Sequence, residues 1–247
     1  MKINAQEIFL LDRYISLEYT ADLRDVWEEM TLHVSACLAR FVNSLPVDYR
    51  TRPLHARPDI VWGGRVLPNF RNTLGNLNTA VIRLSHGDLS GLNFTYGPLS
   101  DFKGQLDYSS GWMSDEDDIQ YHTLLGEAVL LASNINTTDC GSWDPGSLST
   151  EYDERNRGPL SRPAAWPNYR VATGEVVFSG EKVKSPGIYV PELEGSCAQF
   201  LYKTAPLAKV FIGMKELFAP DTGLKYGEKA EFTKQPCTWK KVEHIVI

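Results

Sequence analysis

Apolar residues recur at helical spacing through the first half of the chain. Between Asp22 and Leu45 they fall at steps of three and four, which places them on one face of a helix. These residues are Leu23, Val26, Trp27, Met30, Val34, Cys37, Leu38, Phe41 and Val42. The pattern predicts an amphipathic helix that ends before Pro46, because proline lacks a backbone donor and clashes with the preceding turn.

Two further helices are predicted from their capping residues. Asn69 can cap a helix over residues 70–85, which then ends at the His86-Gly87 pair. Ser114, followed three residues later by Asp117, has the spacing of a capping box. The helix dipole favours additional carboxylates in the first turn, and these are Asp115, Glu116 and Asp118.

Proline and other turn-forming residues separate these segments. Residues 46–68 contain four prolines and are predicted to form an ordered loop. Short helical segments are expected over 88–92 and 99–113. Residues 139–167 are rich in Gly, Ser, Asp and Pro but also carry Trp143, Tyr152 and Trp166. This composition predicts an ordered connection that packs on a surface.

The last 80 residues contain short runs of β-branched and aromatic residues broken by turn formers. The predicted strands cover 169–171, 175–178, 187–190, 198–202, 209–212, 230–232 and 238–247. Their spacing is typical of a small, mostly antiparallel β-barrel or sandwich. We therefore expect an α+β protein with a helical, bundle-like domain (1–138), a connecting loop (139–167) and a β-rich domain (168–247) packed on the helical part.

Charge differs between the two parts of the chain. Residues 1–160 carry 22 acidic side chains, 11 arginines and 2 lysines, whereas residues 161–247 carry 9 acidic side chains, 2 arginines and 10 lysines. The difference fits two structural units with different surfaces. The overall net charge of −6 argues against direct binding of nucleic acid.

The N-terminus and the cysteines favour a cytoplasmic protein. The apolar stretch Ile8–Leu11 is too short for the core of a signal peptide, and no apolar run approaches the ~18 residues of a membrane helix. The four cysteines are widely separated and lack the spacing of zinc ligands. We expect reduced thiols and no contact with a membrane.

The sequence lacks the spacing signatures of common catalytic sites, including the P-loop, the dinucleotide fingerprint and the nucleophile elbow. Ser100–Lys103 and Ser179–Lys182 match a serine-lysine spacing, but the second is polar and turn-like. The five histidines are dispersed, with none expected beside a cysteine. These observations predict a protein that is not an enzyme and that has no metal or cofactor.

Two clusters of charge are open to more than one interpretation. The arginines of residues 50–71 could bind phosphate, but we prefer that they tie the loop to backbone carbonyls and carboxylates. The Asp115–Asp118 turn could bind a metal, lie solvated at a helix start, or face a basic partner. The candidate contact residues for a protein partner are Asp115, Glu116, Asp117, Asp118, Trp143, Tyr152 and Glu154.

Several strings in the sequence are unusually specific. They include residues 45–54, 58–63, 65–71, 187–191, 196–201 and 236–239. Together they resemble the proteobacterial immunity proteins of polymorphic toxin systems, in the group called immunity protein 71/72. Members of this group are typically encoded beside toxins delivered by type VI secretion or by Rhs-like carriers.

The resemblance implies a protein that neutralises a cognate toxin by direct contact and needs no catalytic residue or cofactor. A cytoplasmic location would suit a toxin with a cytoplasmic target, and an acidic helical half would suit a basic toxin. Two alternatives remain: an adaptor or chaperone for toxin delivery, and an enzyme that reverses the modification made by the toxin. The exposed candidates for the contact surface also include the 139–158 loop and the positively charged β-rich end. The toxin and the oligomeric state are not specified by the sequence.

Overall fold

The computed structural model describes residues 3–220 and 224–245 and divides the chain into two compact units. The helical unit covers Tyr14–Asn136. The mixed unit joins the described residues up to Arg13 with those from Thr137 onward. This division differs from the predicted domain of residues 1–138, since the first helix belongs to the mixed unit.

The fold is α+β, as predicted, with helices first and antiparallel strands last. The α-helices are α1 (Ala5–Tyr14), α2 (Leu17–Asn43), α3 (Pro58–Val61), α4 (Leu67–Ser85), α5 (Gly97–Gln105), α6 (Asp115–Asp139) and α7 (Glu154–Arg157). Short 3₁₀ turns lie at Tyr49–Thr51, Leu54–Ala56 and Leu89–Phe94, and a π-helical turn lies at Trp62–Val66. None of the helices in the described ranges is long and apolar enough to cross a membrane.

Helix α2 confirms the predicted amphipathic helix and begins earlier than expected. Ser16 caps it, because its hydroxyl oxygen accepts a hydrogen bond from the backbone N–H of Tyr19 at 3.1 Å. The predicted apolar stripe is buried at Leu23, Trp27 and Val34, whereas Val42 at its end is 41% exposed. The indole N–H of Trp27 donates to the carbonyl of Phe70, which joins α2 to α4.

The predicted loop over residues 46–68 is wrong beyond Pro58, where a continuous helical stretch begins and runs to Ser85. Pro58 is tolerated at the first helical position, where a missing N–H leaves no bond unmade. The π-helical turn Trp62–Val66 precedes Pro68 and shifts the backbone hydrogen bonds, so this proline does not end the helix. Asn69 consequently lies inside α4 and is not its cap.

In its described residues the mixed unit contains six strands, all paired in antiparallel fashion. They are β1 (Tyr169–Phe178), β2 (Gly187–Pro191), β3 (Gln199–Leu201), β4 (Ala208–Phe218), β5 (Lys225–Gln235) and β6 (Thr238–His244). Four of them form a sheet in the order β1-β6-β2-β3, and β4 and β5 form a separate two-stranded sheet. Among the described strands no closed barrel is found, and a sandwich stays a prediction.

Strand boundaries depart from the predicted ones in three places. The runs 169–171 and 175–178 belong to one strand, β1, with an irregularity between Val171 and Val176. Strands β4 and β5 are much longer than the predicted runs 209–212 and 230–232. The end of the predicted strand 238–247 lies partly outside the described residues, since β6 is described to His244.

Trp239 is the centre of the core of the mixed unit. Its side chain is 1% exposed, and its indole N–H lies 3.0 Å from the carbonyl of Pro206 and 3.2 Å from the hydroxyl of Ser179. Ser179 also accepts from the N–H of Cys237. In the serine-lysine pair of residues 179 and 182 the serine therefore has a structural role, since it joins the end of β1 to the start of β6.

Replacing Trp239 by alanine should lower the free energy of unfolding by about 3–5 kcal/mol, the usual cost of truncating a large buried aromatic residue. Phe178→Ala is the control, because Phe178 lies in the same unit but is 48% exposed. That change should cost about 1 kcal/mol or less. Urea unfolding measures both values, and equal stability of the two variants would contradict the assigned core.

Candidate functional site

Strands β4 and β5 form a long two-stranded ribbon whose apolar side chains lie in water. In the part of the chain that the structure describes, each of these strands pairs only with the other. Phe211 is 44% exposed, Met214 54% and Phe218 53%. Large contiguous apolar patches on a protein surface are typical of sites that bind another macromolecule. The β4–β5 ribbon is thus the leading candidate for a binding surface.

A β-bulge brings these apolar residues to the same face of the ribbon. Phe211 pairs with Phe232, but Gly213 pairs with the adjacent Glu231, so β4 contains one extra residue at this point. Side chains alternate between faces at every residue of a regular strand. The extra residue therefore puts Phe211 on the side of Met214 and Phe218. We call this side, with Ala230 and Phe232 from β5, the apolar face.

A small ion network interrupts the apolar face. Glu216 lies directly opposite Glu228, an arrangement of like charges that would destabilise the pairing. The ammonium group of Lys225 forms ion pairs with both carboxylates, at 2.7 Å from Glu216. The hydrogen bonds to Glu216 and Glu228 raise the pKa of Lys225. The network fixes the register of the ribbon near its outer end.

The opposite face of the ribbon is polar. Lys215 and Lys229 are paired across the strands there, and both are exposed. Lysines on a strand with unpaired edges oppose the addition of further strands, because their charges must be desolvated. The ribbon therefore has one face suited to a partner and one suited to solvent.

The inner end of the ribbon is attached to the rest of the mixed unit. The N–H of Phe211 donates to the carbonyl of Gly195 at 2.9 Å. The ammonium group of Lys209 donates to the carbonyl of Ser142 at 2.7 Å and to Asp144 at 2.6 Å. Gly195 has a φ of 73°, which favours glycine. These hydrogen bonds attach the ribbon, and with it the apolar face, to the rest of the mixed unit.

The acidic turn at the start of α6 confirms the predicted capping box. The hydroxyl oxygen of Ser114 accepts from the N–H of Asp117 at 3.2 Å, and the hydroxyl donates to the Asp117 carboxylate at 2.7 Å. Asp118 lies 3.5 Å from His122 and is half-buried. Asp115 and Glu116 are exposed. Asp117 and Asp118 thus contact other residues of the helical unit, whereas Asp115 and Glu116 face solvent.

The expectation that no histidine lies beside a cysteine is wrong. His33 and Cys37 are one turn apart on α2, with Nε2 and Sγ separated by 3.5 Å. With Asp117 they form a group whose possible metal-binding atoms lie within 4.8 Å of one another. Burial and the nearby Asp117 carboxylate raise the pKa of the Cys37 thiol, which favours its neutral form.

Arg40 supplies the positive charge of this group. Its Nη2 atom donates to Cys37 Sγ at 3.3 Å and to the Asp117 carboxylate at 2.6 Å. A guanidinium nitrogen therefore lies between two of the atoms that a cation would need. The Nε2 atom of His33 is hydrogen-bonded to the backbone carbonyl oxygen of Asp117 at 2.9 Å. The arrangement joins α2 to α6, and it could hold a metal only after Arg40 moved away.

The three predicted contact residues of the connecting loop have different environments. Trp143 is 1% exposed, and its N–H and indole N–H donate to Gln199 and Thr138. Trp143 packs in the interior of the mixed unit, so the prediction that it is a contact residue on the surface is wrong. Tyr152 is half-buried and donates to the carbonyl of Gly158. Glu154 is exposed, with one carboxylate oxygen accepting from the N–H of Leu160.

The arginine-rich segment is tied down internally, as preferred from the sequence. Arg57 donates to the carbonyls of Arg52 and Arg50 at 2.7 and 2.5 Å. Arg50 forms an ion pair with Asp59 at 3.0 Å. These contacts satisfy part of the guanidinium groups that could otherwise bind phosphate.

Comparisons of the chain with protein-family models, with curated proteins and with solved structures found no match. The candidate site therefore has to be judged on its own residues. The β4–β5 ribbon was not among the predicted contact residues. Its bulge breaks the regular alternation after Ile212, which hid the second half of β4. A usable signal was the presence of Phe211, Met214 and Phe218 in a lysine-rich segment.

Replacing Ser114 by alanine should destabilise the helical unit by about 1 kcal/mol at neutral pH, the typical cost of a lost helix cap. The hydrogen bonds from Ser114 and Arg40 hold the pKa of Asp117 below its usual value. A lowered pKa stabilises the fold above the unfolded-state pKa, and that stabilisation is lost as pH falls through the folded-state pKa. The cost of the substitution should therefore shrink in acid.

Unfolding followed by circular dichroism at several pH values measures this cost. Ser100→Ala is the matched control, since Ser100 is exposed within α5 of the same unit. Its effect should be within about 0.5 kcal/mol and independent of pH. A cost for Ser114→Ala that did not change with pH would contradict the role given to Asp117.

Proposed function

We propose that this protein is an immunity protein that binds a cognate bacterial toxin through the apolar face of the β4–β5 ribbon. The observation that carries the proposal is that Phe211, Met214 and Phe218 are exposed on one side of the ribbon, which does not itself cover them. Complete burial of such a side chain from water contributes about 1.5–3 kcal/mol, and about half of that is still to be gained by side chains that are half exposed. Three of them provide the kind of central anchor on which tight interfaces depend.

The geometry of the ribbon supports a binding role over a catalytic one. Its nearest ionisable groups, Glu216, Glu228 and Lys225, form a single network of ion pairs and are exposed. A general acid or base needs a pKa tuned towards neutrality in a cleft, and this open ribbon offers none. A partner that laid apolar side chains across this face would also meet the ion network between Met214 and Phe218, whose charges would give orientation more than affinity.

The resemblance to immunity protein 71/72 names the class of partner. We propose a toxin delivered by type VI secretion or by an Rhs-like carrier, and neutralisation in the cytoplasm by direct contact, with no cofactor, no direct nucleic-acid contact and no membrane. The exposed carboxylates Asp115 and Glu116 remain a second contact surface for a basic toxin, and they would act mainly on the rate of association.

Met214→Thr combined with Phe218→Thr should weaken toxin binding at least about tenfold, because both anchors are lost while threonine keeps the strand propensity. Binding is measured by calorimetry with the toxin encoded by the adjacent open reading frame. Protection of growth during co-expression with that toxin should fall in parallel.

The control is Leu32→Gln combined with Ile82→Gln. Leu32 and Ile82 are 64% and 60% exposed on helices of the other unit, so this pair removes a similar amount of exposed apolar surface. It should bind and protect like the unaltered protein. Protection by far less than one molecule per toxin would point to an enzyme, and binding that left the toxin active would point to a delivery adaptor; either result would overturn the proposal.

A further inference from the structure

A cavity of about 620 Å³ lies in the mixed unit, between α1 and the loop that follows β2. Its walls come from residues 190–198, and Glu7 of α1 contributes a carboxylate. Cavities of roughly 300–1,000 Å³ are the usual size of sites that bind a small ligand or a single inserted side chain. The volume is therefore sufficient for a long side chain.

Glu7 is the unusual member of the lining. It is 9% exposed, its carboxylate accepts from the hydroxyl of Ser149 at 2.8 Å, and it accepts from the N–H of Ala198 at 3.4 Å. No ion pair to this carboxylate is present within residues 3–220 and 224–245. Burial raises the pKa of Glu7, because removal from water disfavours the charged form of the carboxyl group. A buried charge is costly until a cation reaches it.

The other charged residues that line the cavity are acidic, like Glu7. Glu192 and Glu194 lie on its rim, and no lysine or arginine is among the described residues that line it. Glu192 forms an ion pair with Lys240, whereas Glu194 is exposed. The cavity therefore attracts a positive group towards Glu7. Apolar walls from Val190, Pro191 and Leu193 would cover the aliphatic stem of a long basic side chain.

One residue of the cavity lining also contacts the base of the β4–β5 ribbon. Gly195 lines the cavity, and its carbonyl accepts the hydrogen bond from the N–H of Phe211, the first residue of the apolar face. A Cβ atom at Gly195 would lie 3.5 Å from a side-chain carbon of Val210. The cavity lining therefore contacts the ribbon at Gly195, beside the residue where the apolar face begins.

We propose that this cavity receives the guanidinium or ammonium group of an arginine or lysine side chain presented by the protein that docks on the apolar face. The identity of that protein rests on the function proposed above, but the chemistry of the cavity does not. The cation would pair with Glu7, and the aliphatic stem would lie along the apolar walls.

A hydrogen-bonded structural role for Glu7 predicts something different. If its only task were to tie α1 to Ser149 and Ala198, glutamine would serve nearly as well, and no cation would compete for the site. The two roles are therefore distinguished by added basic groups and by the isosteric change Glu7→Gln.

The test is a titration of the full chain with N-acetyl-arginine methylamide, followed by amide chemical shifts in NMR spectra. Saturable shifts should appear at Gly195, Ser196 and Ala198. The corresponding citrulline compound, which has the same shape without the charge, should bind at least about tenfold more weakly. Glu7→Gln should weaken binding of the arginine compound to a similar extent, while Glu231→Gln, at an exposed carboxylate on the ribbon, should leave it unchanged.

Equal binding of the arginine and citrulline compounds to the unaltered chain would overturn the proposal, and this comparison does not depend on how any variant folds. Absence of saturable shifts would do the same. Tighter binding of free arginine than of the capped compound would make the cavity a site for a small molecule and exclude a partner's side chain as its occupant. If the titration succeeds but the chain gives no protection against the toxin, the function proposed above fails while the cation site stands.

Discussion

Antiparallel pairing between β4 and β5 is the interaction on which the binding surface depends. Two strands alone are marginal in water, because neither face is buried against a core. Here the pairing is long, its inner end is bonded to Gly195, Ser142 and Asp144, and Lys225 cancels the repulsion between two facing glutamates. These polar contacts hold the ribbon in place and leave its apolar face to a partner.

Charged side chains have different roles in the two units. In the helical unit, Arg40 draws Cys37 and Asp117 together, so charge is used to join two helices. In the mixed unit, Glu7 is buried in a cavity without a cation of its own among the described residues. Charges that are already paired contribute to the fold, whereas a buried carboxylate that has hydrogen bonds but no countercharge is more typical of a functional site.

Local signals in the sequence predicted the features that depend on neighbouring residues. The stripe of α2 and the capping box at Ser114 follow from spacing alone, and both are present. The helix through Pro58 and Pro68 was missed, because it requires a π-helical turn that no propensity scale indicates. The apolar face was missed for a similar reason, since one inserted residue at the bulge reverses the expected alternation.

Tertiary contacts explain the remaining errors among the candidate residues. Trp143 was taken for a surface residue because its loop is rich in turn formers, yet Gln199, distant in sequence, bonds its backbone inside the unit. Cys37 and His33 are close in sequence, but their link to Asp117 depends on how α6 packs against α2. Neither contact can be recognised from the spacing of residues in the sequence.

Hydrogen–deuterium exchange of the chain, alone and mixed with the toxin encoded beside it, is the most direct test of the central claim. The account predicts slower exchange in β4, β5 and residues 190–198 when the toxin is present, with the helical unit little changed away from Asp115 and Glu116. Protection confined to the helical unit, with unchanged exchange along the ribbon, would contradict it.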